Sequence, residues 1–141
     1  MKKILVTGGS VFVSKNIAEY FAQKDYEVYV LNRNNHPQPK NTQQIKADRN
    51  SLGDSLKKYH FDIVLDVTAY TQTDVRNLLD GINPVEKYIL ISSSAVYPET
   101  LKQPFKENQQ TGENSIWKDY GTNKIAAEKY LLSQIPDAYI I

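Results

Sequence analysis

Residues 4–14 read ILVTGGSVFVS. Lys2 to Thr7 is a short β-branched run that suits a buried strand. Val13, Ile17, Tyr20 and Phe21 then recur at helical spacing, with Ser10 and Ser14 as candidate caps. Between strand and helix lies a glycine turn. In a phosphate-binding turn an early glycine permits the tight bend and a later one lets backbone approach a pyrophosphate. The last lets the helix pack closely on the sheet. The helix N-terminus offers free N–H groups and the positive end of its dipole to the anion. Gly8 and Gly9 are present, but Val11 and Ser14 stand where further glycines would be expected. On this stretch alone, an anion-binding turn and a plain strand-to-helix connection are both open.

Working outward, the same alternation repeats. YEVYVLN (26–32), TQQIKAD (42–48), FDIVLDVTAY (61–70), EKYILISSS (86–94) and AYII (138–141) read as strands. SLGDSLKKY (51–59) reads as a short helix or helical turn, TDVRNLLDG (73–81) as a helix closed by Gly81, and SIWKDYGTNKIAAEKYLLSQ (115–134) as a long helix stopped by Pro136. NRNNHPQPKN (32–41) and the stretch from Ala95 to Glu113 are polar and proline-bearing, hence irregular. Strands alternating with helices predict an α/β doubly wound parallel sheet in three layers, a Rossmann arrangement filling residues 1–141 as one domain.

Composition narrows the function. Seventeen Lys and Arg against 16 Asp and Glu leave a net charge of +1, which gives no sign of a polyanion partner, so no nucleic acid is expected. There is no cysteine, which excludes disulfides and thiolate metal sites. No apolar run approaches the roughly 20 residues that span a bilayer, and MKKILVTGG lacks the apolar core of a signal peptide. A cytoplasmic protein with no membrane partner is expected.

Near the end of the chain, YGTNK places Tyr120 and Lys124 four residues apart, on one face of a helix. Free tyrosine, with a pKa near 10, is a poor base at neutral pH. A neighbouring cation favours the phenolate, and lowering that pKa by about three units corresponds to roughly 4 kcal/mol. An exposed helical pair is the plainer reading. Upstream, ILISSSAVYP sets three serines at a strand end, where turn formation and capping are the plainer roles.

The turn, LNR at 31–33, SSSAVY at 92–97 and YGTNK at 120–124 occur in the order seen in the extended short-chain dehydrogenase/reductase superfamily, and the chain resembles its NAD-dependent epimerase/dehydratase family. That family's opening is Thr-Gly-x-x-Gly-x-x-Gly. Thr7 and Gly8 keep it; Val11 and Ser14 depart from it. Some relatives, stem-loop-binding proteins among them, also carry a side chain at the middle position, and Ser14 is small enough to preserve close packing. The resemblance implies that Thr7, Gly8, Gly9, Ser10, Val11, Phe12 and Val13 form a cofactor-binding turn. It implies a catalytic set of Ser93, with Ser94 its nearest rival, Tyr120 and Lys124. Ser93 would hydrogen-bond a substrate oxygen, Tyr120 would exchange the proton, and Lys124 would also bind the nicotinamide ribose. Asp48 falls where these families place an acid near the adenine amino group, though it could simply cap the following turn. Thr68 and Ala69 lie at the carboxyl end of a central strand, where cofactor crosses the sheet. Asp66 stands where many relatives have histidine, and reads equally as a buried, hydrogen-bonded carboxylate.

The residue ending the second strand decides the ribose contact. Here it is Asn32, followed by Arg33. Without a carboxylate, and with a planar bidentate cation beside it, the pair favours NADP over NAD, against the reading of Arg33 as a solvated loop cation. The family also implies a small-molecule substrate such as a nucleotide sugar, a homodimer through the Tyr120 helix, and a C-terminal substrate domain after AYII, where this sequence ends. A one-walled cleft positions substrate poorly, so cofactor binding with little turnover is expected. A non-enzymatic dinucleotide sensor and an RNA-binding relative are the competing readings.

Overall fold

A computed structural model describes residues 1–141. Six strands form one parallel sheet: β1 (Lys3–Thr7), β2 (Glu27–Asn32), β3 (Gln43–Lys46), β4 (Ile63–Asp66), β5 (Lys87–Leu90) and β6 (Tyr139–Ile140), in the spatial order β3-β2-β1-β4-β5-β6. Three α-helices connect them, α1 (Phe12–Ala22), α2 (Gln72–Gly81) and α3 (Asp119–Gln134), with one 3₁₀ turn at Ser94–Val96. The doubly wound reading holds, with the reversal of strand order between β1 and β4.

The alternation within β1 builds both faces. Ile4 and Val6 join Val28, Val30 and Leu65 against Ala18 of α1. Leu5 points the other way, with Leu31, Val64 and Leu90, and packs against Val75 and Leu78 of α2 and Ala127 and Leu131 of α3. α1 therefore covers one face and α2 with α3 the other, giving the three layers.

Local chemistry moved several boundaries. Of the two readings of 51–59, a short helix or a helical turn, the structure takes the turn: residues 53–58 are successive turns that begin on Gly53 at a left-handed φ of +51°, and Leu52 and Leu56 reach the core. The long helix starts at Asp119, not Ser115. Asn114 Oδ1 accepts from the N–H groups of Ile116 (2.9 Å) and Trp117 (3.0 Å), folding residues 115–118 into a turn that ends on Lys118 at φ +46°. Neither Ser10 nor Ser14 caps α1: Val11 is the N-cap residue, and Ser14 Oγ donates to its carbonyl at 2.9 Å. α2 does carry a capping box, Thr71 with Asp74. No helix is long and apolar enough to cross a membrane, and no group of three His, Asp or Glu side chains is placed to hold a metal ion.

Candidate functional site

Beyond the carboxyl ends of β1, β2 and β4 lies a crevice of about 390 Å³. This is the switch point at which open parallel sheets hold their ligands. Thr7, Gly8 and Ser10 form one wall, Asn32 and Arg33 the next, Asp48 and Arg49 the far end, and Thr68 and Tyr70 the side toward α3.

The turn works through its first two glycines. Gly8 sits at φ +83°, and its N–H donates to Leu31 O at 2.8 Å, which ties the turn to β2. Gly9 sits at φ +78°, and a Cβ there would lie 2.4 Å from Val30 Cγ1. Val11 is 53% exposed in extended backbone, and it does not line the crevice. Phe12 and Val13 also face outward. Ser14 is buried against Gly8, so the close packing expected of a glycine there is kept. Of the seven turn residues expected to bind cofactor, Thr7, Gly8 and Ser10 line the crevice, and the other four do not.

At the end of β2, Asn32 is a brace. Its Nδ2 donates to Gly8 O (2.7 Å) and Gln38 Oε1 (2.8 Å), and its Oδ1 accepts from Asn34 N (3.0 Å) and Gln44 Nε2 (2.9 Å). Both ends of the amide are occupied within the protein. Arg33, beside it, is exposed and faces the crevice. Asp48 lines the crevice too, and its Oδ1 accepts from Asn50 N at 2.8 Å, so it caps the following turn.

Beneath the crevice lies a charged network that the sequence signalled only through Asp66. This carboxylate is fully buried. Arg49 Nη1 and Nη2 donate to its two oxygens at 2.8 and 2.9 Å, Thr7 Oγ1 donates at 2.8 Å, and the Tyr88 hydroxyl at 2.5 Å. Burial alone would raise the Asp66 pKa; Arg49, with Tyr88 and Thr7, overrides it and holds the group below the usual carboxylate range. Arg49 also reaches Thr68 Oγ1 (3.0 Å) and Asp74 O (2.7 Å), while Thr7 Oγ1 accepts from Val67 N and Thr68 N. One ion pair thus joins the glycine turn, the end of β4 and the start of α2. A carboxylate within an apolar run demands such a partner, but nothing in the sequence singled out Arg49.

The expected catalytic residues lie on the α3 side, outside the crevice lining. Ser93 Oγ accepts from Ala95 N at 3.2 Å, capping the 3₁₀ turn that contains Ser94. Its neighbour Ser92 donates to Glu128 at 2.5 Å. Lys124 is 2% exposed, and its Nζ donates to Ala69 O (2.8 Å) and Ile91 O (2.9 Å). Burial pulls its pKa below the ordinary lysine value, with Asp66 and Glu128 opposing. Tyr120 is 37% exposed and packs between Trp117 and Tyr70, at centroid distances of 5.9 and 6.1 Å. The Lys124 ammonium lies 5.6 Å from the centre of the Tyr70 ring. Gly121 lets this helix approach closely, because a Cβ there would sit 2.3 Å from Ala95 O.

This architecture is shared with proteins already known. A UDP-glucose 4-epimerase structure superposes with a TM-score of 0.83 at 17% identity, over 99% of this chain and 50% of that one. A short-chain dehydrogenase/reductase superfamily protein from Agrobacterium tumefaciens, solved with bound NAD, does so with a TM-score of 0.77 at 20% identity, over 98% and 48%. The chloroplast stem-loop binding protein of 41 kDa b from Arabidopsis thaliana is 24% identical over 151 residues, which is 94% of this chain and 39% of that protein. The chain thus spans about half the length of these structures and less of the plant relative. The profile of the NAD dependent epimerase/dehydratase family matches residues 4–138, and with the parallel sheet and its switch-point crevice in place, the chain belongs to that family.

Proposed function

We propose that this chain is the dinucleotide-binding part of an epimerase/dehydratase-type oxidoreductase that prefers NADP and acts on a hydroxyl or carbonyl of a nucleotide sugar or similar small molecule. The observation that carries the cofactor preference is the pairing at the end of β2. Asn32 is consumed by the fold, whereas the Arg33 guanidinium faces the crevice with no carboxylate at the strand end to repel a 2′-phosphate. Gly8 and Ser10 would take the diphosphate at the start of α1, and Asp48 the adenine side.

When bound, the nicotinamide would supply hydride transfer. The Ser93 hydroxyl can still donate to a substrate oxygen while accepting from Ala95 N. Tyr120, half-open at the surface, would exchange the substrate proton. Lys124 holds a positive charge beside this end of the sheet, supported by two carbonyls. The nucleotide-sugar substrate has its support in relatives such as the UDP-glucose 4-epimerase.

A thermal-shift series with NADP, NAD and no ligand tests the binding claim. A ligand at 100 times its dissociation constant adds about 2.7 kcal/mol, so NADP should raise Tm clearly and more than NAD. No shift with either at millimolar concentration would overturn it. A dinucleotide sensor without catalysis is the second reading, favoured by Lys124 being engaged with two backbone carbonyls and Ser93 with a cap. It requires cofactor binding that Tyr120→Phe leaves unchanged and no turnover that this substitution could abolish.

A further inference from the structure

The crevice stops at Tyr70. Its lining includes that ring but not Lys124, Ser93 or Tyr120. Its volume of about 390 Å³ sits near the small end of ligand pockets, which run from roughly 300 to 1,000 Å³. Behind the ring, Lys124 is shut away. Two of its three N–H groups go to Ala69 O and Ile91 O, and the Tyr70 ring lies 5.6 Å from its nitrogen, within cation–π range. Tyr70 itself is 54% exposed, and its side chain has no hydrogen-bond partner; its neighbours are the Lys124 ammonium and the Tyr120 ring. It is held by weak contacts, the ammonium over its ring and the Tyr120 ring tilted 52° to it, at the edge of the crevice. Its backbone, in contrast, is fixed: the N–H donates to Asp74 Oδ2 at 2.8 Å, within the capping arrangement of α2. The side chain can therefore turn without the main chain moving.

We propose that Tyr70 is a gate between two halves of the cofactor site. With the ring in place, the crevice accepts an adenosine diphosphate. The nicotinamide ribose reaches Lys124 only when the ring swings out, exchanging a cation–π contact for a hydrogen bond to the third ammonium proton. The proposal rests on the dinucleotide reading above and makes Tyr70 a residue that sets how strongly the second half of the cofactor contributes to affinity. When the competent form is a fraction f of the molecules, the apparent dissociation constant rises by 1/f. A ring closed in about four molecules of five weakens NAD about fivefold and leaves ADP unaffected.

Calorimetric titration of ADP and NAD into the wild type, Tyr70→Phe and Tyr70→Ala tests this. Tyr70 is not part of the core, so both variants should fold, which thermal unfolding verifies. Tyr70 lines the crevice, so ADP is the reference: each variant's change in NAD affinity is taken relative to its change in ADP affinity. NAD should bind Tyr70→Ala about fivefold more tightly than the wild type, with Tyr70→Phe, which keeps the ring, close to the wild type. If Tyr70→Ala binds NAD no better, or worse, the ring is not a gate. If none of ADP, NAD and NADP binds the wild type, the dinucleotide site falls and the gate with it.

Discussion

Arg49 grips Asp66 through both of its terminal nitrogens, at 2.8 and 2.9 Å, across 17 residues of sequence. Breaking a buried pair by removing one member costs about 3–5 kcal/mol, because the other charge is left uncompensated. Asp66→Ala and Arg49→Ala should each show a loss of that order in urea unfolding. The double variant should fall short of the sum by about 1 kcal/mol or more, since the two residues share one interaction.

The same pair sets an acid limit. The folded Asp66 pKa lies below the unfolded value, which is about 3.9. Its stabilisation is therefore complete above that pH and is lost as pH falls through the lower, folded pKa. Stability measured by denaturant titration should drop below about pH 4. Asp66→Asn should be less stable at neutral pH and show a shallower acid slope. The slope that remains belongs in part to Glu27 and Glu99, which hydrogen bonds from Tyr29 and Ser115 also hold low at the surface.

Arg33 carries the proposed preference for NADP. Arg33→Ala should weaken NADP about tenfold, or 1.4 kcal/mol, with NAD little changed. Equal loss for both would show that the guanidinium meets the shared diphosphate instead.

Asn32→Asp, the direct way to install an acidic ribose ligand, should fail here. Asn32 Nδ2 donates to Gly8 O and Gln38 Oε1, and a carboxylate in its place sets acceptor against acceptor. We expect a stability loss of about 1–3 kcal/mol and no gain in NAD affinity, read by thermal unfolding with and without ligand.

Gly121→Ala drives a methyl group into Ala95 O. Overpacking of this kind costs typically about 1–3 kcal/mol. Because the clash parts α3 from the 3₁₀ turn at Ser94–Val96, urea unfolding should show a loss of that order.

The sheet was legible in the sequence because its signal is local. Ile4, Leu5 and Val6, and later Ile63 to Leu65, form apolar runs that need no partner to be recognised. The failures came where a single side chain or one unusual φ decides. Asn114 held residues 115–118 in a turn that ends on Lys118 at φ +46°, where a helix was expected. Within the site, the order of turn, LNR, serines and YGTNK pointed to Thr7, Gly8 and Arg33, which line the crevice, and to Ser93, Tyr120 and Lys124, which do not. It did not reveal that Asn32 spends its amide on Gly8, that Val11 points away from the crevice, or that Tyr70 stands beside both Lys124 and Tyr120. Those are meetings of residues 24, and in the last case 50 and 54, positions apart. Periodicity carries no information at that range.

Every strand pairing is parallel, so no two neighbours can be closed by a hairpin. The central pair brings Ile4 beside Ile63, and the chain between them must be looped before either strand gains its ladder. Folding speed should accordingly be governed by that long closure rather than by the helices, which form far faster by themselves. Mutations that weaken α1 should mainly hasten unfolding, whereas those at the β1–β4 seam should slow the approach to the native state.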